Sequence, residues 1–270
     1  MEREELLRHL QKVHPDREDW DLHALADEDA EFWHAWIDAR IRGEDPWISY
    51  GTDEFGSVAF TFASLAEEME ERNVDLGDFH KGAADFLGSL DCNNEGRDIL
   101  MEGINVVGLT RARPAAETLA RWIREKSLLQ DENFGVELHR AAMYALANLQ
   151  EKSGDPRFTD IWRAWFQPQD HLNVSKYSLI PAAFSGLAMS QRHVPGDELQ
   201  KLLGFRAEAH EQGCDLKISP AVLALWVDRE SDSINVIQEI WNAIQQTDTP
   251  EENWEIIREC ADRTWPEVES

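Results

Sequence analysis

The residues that come nearest to a metal site are Asp78, His80 and Asp85, which supply carboxylate and imidazole groups within a short stretch. Such groups can hold a divalent cation when they converge on one point. Asp78 and His80 are two positions apart, however, so on a helix they point to different sides. We therefore expect no metal at this position.

Two further pairs have the residue types of catalytic groups. Cys214 follows His210 by one helical turn, but no signature supplies the Asn or Asp that would orient the histidine. Glu67 and Glu71 lie four positions apart without a histidine beside them, which is typical of a solvated helix face. The chain also lacks the P-loop, Rossmann, zinc-protease, serine-hydrolase and EF-hand motifs. We expect no catalytic residues and no cofactor.

The chain is strongly acidic. It has 53 Asp and Glu against 26 Lys and Arg in 270 residues, a formal net charge of −27. A field of this sign repels the phosphates of nucleic acids and of anionic membranes, and it attracts basic proteins. The charge is concentrated near the ends, with −10 in residues 1–56 and −8 in residues 231–270. We expect a partner with a basic surface; the alternative is that the acidity serves only solubility.

Cysteine use and hydropathy indicate a cytoplasmic protein. Cys92, Cys214 and Cys260 are far apart and form no CxxC motif, so neither a disulfide framework nor a cysteine zinc site is expected. The first residues, MEREELLRHL, are charged where a signal peptide needs an apolar run. No stretch of about 18 apolar residues occurs, so we expect no membrane span.

In most of the chain, the apolar residues recur with helical spacing. Residues 30–41, 58–73, 76–90 and 95–109 each place apolar residues at spacings of three and four, and Asp27 is a candidate N-cap for the first of these helices. Few stretches alternate with period 2. The sequence therefore predicts an all-α fold.

The clearest unit is a helical hairpin at residues 137–166. Its first helix has an apolar face formed by Leu138, Ala141, Ala142, Ala145, Leu146 and Leu149. A turn at 153–156 then ends this helix, with Gly and Pro in suitable positions. The second helix has its own apolar residues, which are Phe158, Ile161, Trp162, Trp165 and Phe166.

Similar small-residue helices recur about every forty residues. Four segments align, and their last residues are 37, 41 and 39 positions apart. These segments are 104–109, 141–146, 182–187 and 221–226. Small side chains recur in them because tightly stacked helices need close approach.

The repeats resemble the HEAT-like, armadillo-type family of helical repeats. The resemblance is carried by a basic residue and small residues on one helix, followed by an Asp-Pro turn. These residues are Arg140, Ala141, Ala142, Ala145, Leu146, Leu149, Asp155 and Pro156. The resemblance implies antiparallel helical hairpins stacked as an α-solenoid. An antiparallel bundle also gives a hairpin every forty residues and is the alternative.

The resemblance divides the chain into three parts. An acidic helical segment at 1–56 precedes the repeat array at 57–247, and an acidic capping helix at 248–270 follows it. Arrays of this family are scaffolds that present surfaces to other proteins. We therefore expect a non-enzymatic scaffold or regulatory adaptor that docks a basic protein. The alternative is an acidic inhibitor, immunity protein or nucleic-acid mimic that blocks a basic active site.

The expected contact strip combines basic and aromatic side chains, because Arg and Trp are enriched in interface hot spots. It comprises Arg121, Arg124, His139, Arg140, Arg163 and Trp165. We place His139 beside Arg140 on the polar flank of its helix, as a surface or interface residue. For Trp165 there are two alternatives, of which the spacing favours the core over a binding surface.

Overall fold

Every regular element that the structure describes is a helix, which confirms the all-α prediction for this part of the chain. The structure is a computed structural model, and it describes five continuous stretches and five further residues. These are 3–13, 21–44, 57–130, 134–150 and 156–165, with Leu179, Ala182, Ala183, Gly186 and Leu187.

Residue contacts divide the chain into two compact units, Met1–Leu149 and Gln150–Ser270. The described helices of the first unit are α1 (Arg3–Val13), α2 (Leu22–Ala26), α3 (Ala30–Ile41), α4 (Val58–Glu71), α5 (Gly77–Ser89), α6 (Arg97–Leu109), α7 (Ala116–Glu125) and α8 (Gly135–Leu149). Helix α9 (Thr159–Ala164) belongs to the second unit. Short 3-10 turns occur at Arg113–Ala115, Ser127–Gln130 and Pro156–Phe158.

Helix α3 has the predicted bounds, and local residues fix both of its ends. The carboxylate of Asp29 accepts a hydrogen bond of 2.9 Å from the backbone N–H of Phe32. Asp29 is therefore the N-cap. The prediction of Asp27 in this role is wrong, because Asp27 ends the preceding helix α2. After α3, Gly43 adopts a φ of 75°, the left-handed conformation that commonly follows a helix.

An aromatic cluster joins α3, α4 and α5. Trp33 meets Phe79 edge to face with the ring centroids 4.9 Å apart, and Trp36 meets Phe62 in the same way at 5.3 Å. All four side chains are buried, as their spacing predicts. Such pairs add about 0.5–1.5 kcal/mol each to the contribution of the buried area.

A glycine allows α5 to approach α3 closely. A Cβ at Gly82 would lie 2.5 Å from the Cβ of Trp33 and 2.7 Å from the carbonyl oxygen of Ala30. No real Cβ tolerates these distances, so the crossing requires the absence of a side chain. Gly82 thereby sets the separation at which the aromatic cluster packs.

Alternate helices of the first unit pack on one another. Helix α3 contacts α5, α4 contacts α6, and α6 contacts α8; the consecutive pairs α5–α6 and α7–α8 also pack together. Helices α6 and α8 run in the same direction, because Arg97 and Glu137 pair at their starts while Gly108 and Ala145 meet near their ends. A Cβ at Gly108 would lie 2.9 Å from that of Ala145. Small residues therefore do permit close approach here, as the sequence predicts.

In the second unit, Trp162 packs against Gly186. A Cβ on this glycine would lie 2.2 Å from the indole ring. The side chain of Gln150 links the two residues: its Oε1 accepts a hydrogen bond from Trp162 Nε1 (3.4 Å), and its Nε2 donates to the Gly186 carbonyl oxygen (3.2 Å). Trp162 is thus a core residue with a satisfied indole N–H.

The predicted hairpin at 137–166 spans the division between the units, with α8 in the first and α9 in the second. Residues 153–155 of its predicted turn and the last aligned segment, 221–226, lie outside the described residues. The three-part division of the chain at residues 56 and 247 stays a prediction.

Candidate partner-docking surface

The structure places the residues of the predicted contact strip in different surroundings. Arg121 and Arg124 are exposed on α7, and Arg140 is exposed on α8. Because the buried side of α7 packs mainly on α8, the two arginines of α7 face away from that helix. Arg163 is exposed on α9, in the second unit.

His139 is buried, and its predicted place on the surface is wrong. Its side chain is 0% exposed, since α8 is covered by α6 on one side and by α7 on another. Burial lowers the pKa of His139 from 6.5 to about 4, and the nearby charge of Lys126 adds to this effect. The imidazole is therefore neutral at pH 7, and it offers no surface to a partner.

Trp165 is 6% exposed and belongs to the core of the second unit. Of the two alternatives for Trp165, the core and a binding surface, its position is thus in the core. Its neighbour Arg163 is exposed, as are Asp160 and Ala164 of the same helix.

The large apolar side chains exposed in the described ranges all lie on or beside α4, α6 and α8. The exposed fractions are 55% for Phe60, 43% for Leu109 and 39% for Tyr144, and Phe134, just before α8, is similar. Single exposed apolar residues are common. These four differ from scattered exposed residues because they lie on or beside helices that are in contact, α4 with α6 and α6 with α8.

Leu109 and Tyr144 lie on the same side of the α6–α8 pair. They are the chain neighbours of Gly108 and Ala145, which are in contact. Each residue of a helix is rotated by about 100° from the one before it. Helices α6 and α8 run in the same direction, and Gly108 and Ala145 face each other. One residue forward on α6, from Gly108 to Leu109, and one residue back on α8, from Ala145 to Tyr144, therefore rotate both side chains toward the same side of the pair. We call this exposed pair the Leu109–Tyr144 patch.

The repeat pattern did not reveal this patch. The alignment equates Leu109 with Leu146, yet Leu146 is fully buried. The two positions differ because Leu109 is the last residue of α6, whereas α8 continues to Leu149. Tyr144 was detectable in the sequence, since it follows Arg140 by one turn on the polar side of α8.

Two carboxylates of α6 and α8 are engaged in hydrogen bonds. Glu137 accepts a hydrogen bond of 2.9 Å from Nη2 of Arg97. Glu102 accepts two, from the Ser57 hydroxyl and from the backbone N–H of Ala59, each at 2.9 Å. Glu102 therefore caps the start of α4 from the neighbouring helix, since Ser57 makes no cap of its own.

Two exposed arginines flank the patch. Arg140 lies one turn before Tyr144, and its charge opposes the burial that raises the pKa of the Tyr144 phenol. Arg111 follows Leu109 by two residues and has a φ of 56°. Within the described stretches, neither arginine has a carboxylate at ion-pair distance. Arg42, Arg72 and Arg97, by contrast, each pair with a carboxylate.

His80 has a structural partner. Its Nε2 donates a hydrogen bond of 2.9 Å to the carbonyl oxygen of Thr110, and burial lowers its pKa. The histidine thereby ties α5 to the turn after α6. Across the described part of the chain, no group of three or more His, Cys, Asp or Glu residues is arranged to hold a metal ion.

Cys92 is a weakly reactive thiol. Burial is the main cause that raises its pKa to about 11, so the thiolate is scarce at pH 7. Cys214 and His210, the other candidate nucleophile and base, lie outside the described residues.

Comparisons with protein-family models, curated proteins and solved structures found no match for the chain. None of the helices in the described stretches is long and apolar enough to cross a bilayer. The HEAT-like resemblance stays a prediction, and function must be inferred from the surface of this chain.

Proposed function

We propose that the protein is a non-enzymatic helical-repeat scaffold or adaptor that docks a partner protein through the Leu109–Tyr144 patch. The observation that carries this proposal is an exposed Tyr and Leu on one side of two closely packed helices. Burying such side chains contributes about 25 cal/mol per Å² of apolar surface. Tyr and Arg are also enriched among the residues that dominate binding energy, and Arg140 adjoins the patch.

The stacked, HEAT-like architecture is part of the proposal. In a solenoid, equivalent helices of successive repeats lie side by side and run in the same direction. The Arg97–Glu137 and Gly108–Ala145 contacts join residues 40 and 37 positions apart, close to the repeat length in the sequence. Packing of α4 on α6 and of α6 on α8 supports the same arrangement.

The partner is proposed to carry a basic surface overall, and the protein to act in the cytoplasm. A net charge of −27 attracts cationic proteins over distances longer than a contact. It also disfavours nucleic acid and anionic membrane as direct ligands.

Affinity capture tests the proposal. The wild-type protein is immobilised and exposed to a lysate of its native host, and the retained proteins are identified by mass spectrometry. Tyr144→Ser is the test variant, and Phe60→Ser is the matched control, since it also removes an exposed aromatic ring. We expect a stoichiometric partner that Tyr144→Ser loses and Phe60→Ser retains. Equal capture by both variants would contradict docking at the patch.

The same charge supports a second candidate function, an acidic inhibitor or nucleic-acid mimic that blocks a basic active site. That function needs carboxylates along one face, and α4 exposes Glu67, Glu70 and Glu71 on its last turns. The result that would distinguish this function is stoichiometric inhibition of a captured basic enzyme, with the inhibition unchanged in the Tyr144→Ser variant.

A further inference from the structure

The charge that acts on Tyr144 is opposite in sign to the net charge of the whole molecule. Acidic residues outnumber basic ones by 53 to 26 over the chain. Yet Glu137 is held in an ion pair, and Glu102 is occupied in capping α4. Asp98, the remaining carboxylate of α6 and α8, lies eleven residues before Leu109, a distance of about 16 Å along a helix. Among the charged groups of α6 and α8, Arg140 is the one whose charge acts on the Tyr144 phenol.

Arg111 and Arg140 belong to the exposed arginines of the described stretches that pair with no carboxylate, a set that also contains Arg8, Arg121 and Arg124. Carboxylates are abundant, and the arginines at 42, 72 and 97 have each paired with one. In the described stretches Arg111 and Arg140 have not, although both are exposed beside exposed apolar side chains. A guanidinium group binds a carboxylate through two parallel hydrogen bonds, and it is a frequent hot-spot residue when an aromatic ring is adjacent.

We infer that the patch binds a segment of the partner in which an apolar side chain is flanked by Asp or Glu. The apolar side chain covers Leu109 and the ring of Tyr144, and the carboxylates pair with Arg140 and Arg111. This inference rests on the proposed function and specifies the residues that make the contact.

A locally acidic contact is compatible with a basic partner. The summed field of the protein acts over about one screening length, which is about 10 Å at 0.1 M salt. An ion pair forms only at about 4 Å or less and depends on the residues in contact. The net charge of the partner governs its approach, whereas the patch selects the segment that docks.

Two synthetic peptides test the inference. Both are fluorescein-labelled amphipathic helices with the same leucine stripe; one carries Glu beside the stripe and the other carries Lys. A helix is suitable because it satisfies its own backbone hydrogen bonds. Fluorescence anisotropy is measured at about 0.5 M KCl, where the screening length falls to about 4 Å and the field of the whole protein is largely removed.

We expect the glutamate peptide to bind the wild-type protein more tightly than the lysine peptide. Tyr144→Ser and Arg140→Glu should each weaken its binding by about tenfold, the effect of losing one hot-spot contact. Phe60→Ser and Arg8→Glu are the matched controls, because they make the same changes at exposed positions on α4 and α1, and Arg8 also pairs with no carboxylate in the described stretches. Their affinities should stay within about twofold of wild type. Circular dichroism verifies that every variant is folded.

Three results overturn the inference. If the lysine peptide is the tighter ligand and loses affinity in Tyr144→Ser, the patch docks a segment of the opposite charge. The glutamate peptide could bind all variants equally, which would place it elsewhere on the protein. Failure of the glutamate peptide to bind at all also refutes the acidic assignment. Affinity capture from the host then decides independently whether the patch docks any partner.

Discussion

His139 shows how packing decides the chemistry available to a titratable side chain. The imidazole is fully buried, so its charged form loses solvation, and the pKa falls to about 4. An exposed histidine at the same place in the sequence would be half protonated near pH 6.5. The residue therefore acts in the core as a neutral group whose protonation opposes folding.

The stability of the first unit should decrease as the pH falls from about 6.5 toward 4, because the unfolded chain binds a proton that the folded His139 does not. With a folded pKa of about 4, the loss between pH 7.5 and pH 5 is about 2 kcal/mol. Urea unfolding at these two pH values measures it. His139→Gln serves as the comparison, because it removes the titratable group. If this variant has the same pH dependence as the wild type, His139 is not its cause.

At the scale of the helices, two glycines of α5 occupy different environments. Gly82 lies against Trp33 and Ala30 of α3, with no space for a Cβ. For Gly88, the nearest atom to an added Cβ is the Thr118 hydroxyl oxygen at 3.9 Å. One helix thus contains a glycine that packing requires and a glycine that packing does not require.

Alanine substitutions at these positions should have opposite effects. Gly82→Ala should destabilise the protein by about 1–3 kcal/mol or more, because α3 and α5 must separate. Gly88→Ala should stabilise it by up to about 1 kcal/mol, because alanine has the higher helix propensity. Thermal unfolding of both variants beside wild type tests this. Equal effects would show that the close approach at Gly82 does not control stability.

The helices also show which structural features the sequence could predict. The bounds of α3 and the burial of Trp33 and Phe79 follow from caps and apolar spacing, which are local. The N-cap is two residues from its predicted place because this short region offers several aspartates. The burial of His139 and the exposure of Leu109 depend on which neighbours cover each helix. A single helical period carries no such information, so most of the candidate site was not predictable.

At the scale of the whole molecule, charge is the dominant feature. A net charge of −27 creates a field that extends beyond any single contact. The patch provides the apolar contact, while the field concerns the approach of a partner. These two roles can be separated by salt, which screens the field and leaves apolar contact largely intact.

The association rate of a captured basic partner should fall by about tenfold or more between about 50 and 500 mM KCl, since steering is lost. The dissociation rate should change much less. Stopped-flow fluorescence measures both. An association rate independent of salt would mean that the acidity serves only solubility.

The hydrogen bonds of Glu102 link the start of one helix to a residue more than forty positions later. The first turn of α4 is capped by this carboxylate and not by Ser57. During synthesis, α4 must therefore leave the ribosome with an incomplete first turn and gain its cap only after residue 102 has emerged. Helices α4 and α6 thus complete their folding together, and a chain interrupted between them would expose the unsatisfied backbone of the earlier helix.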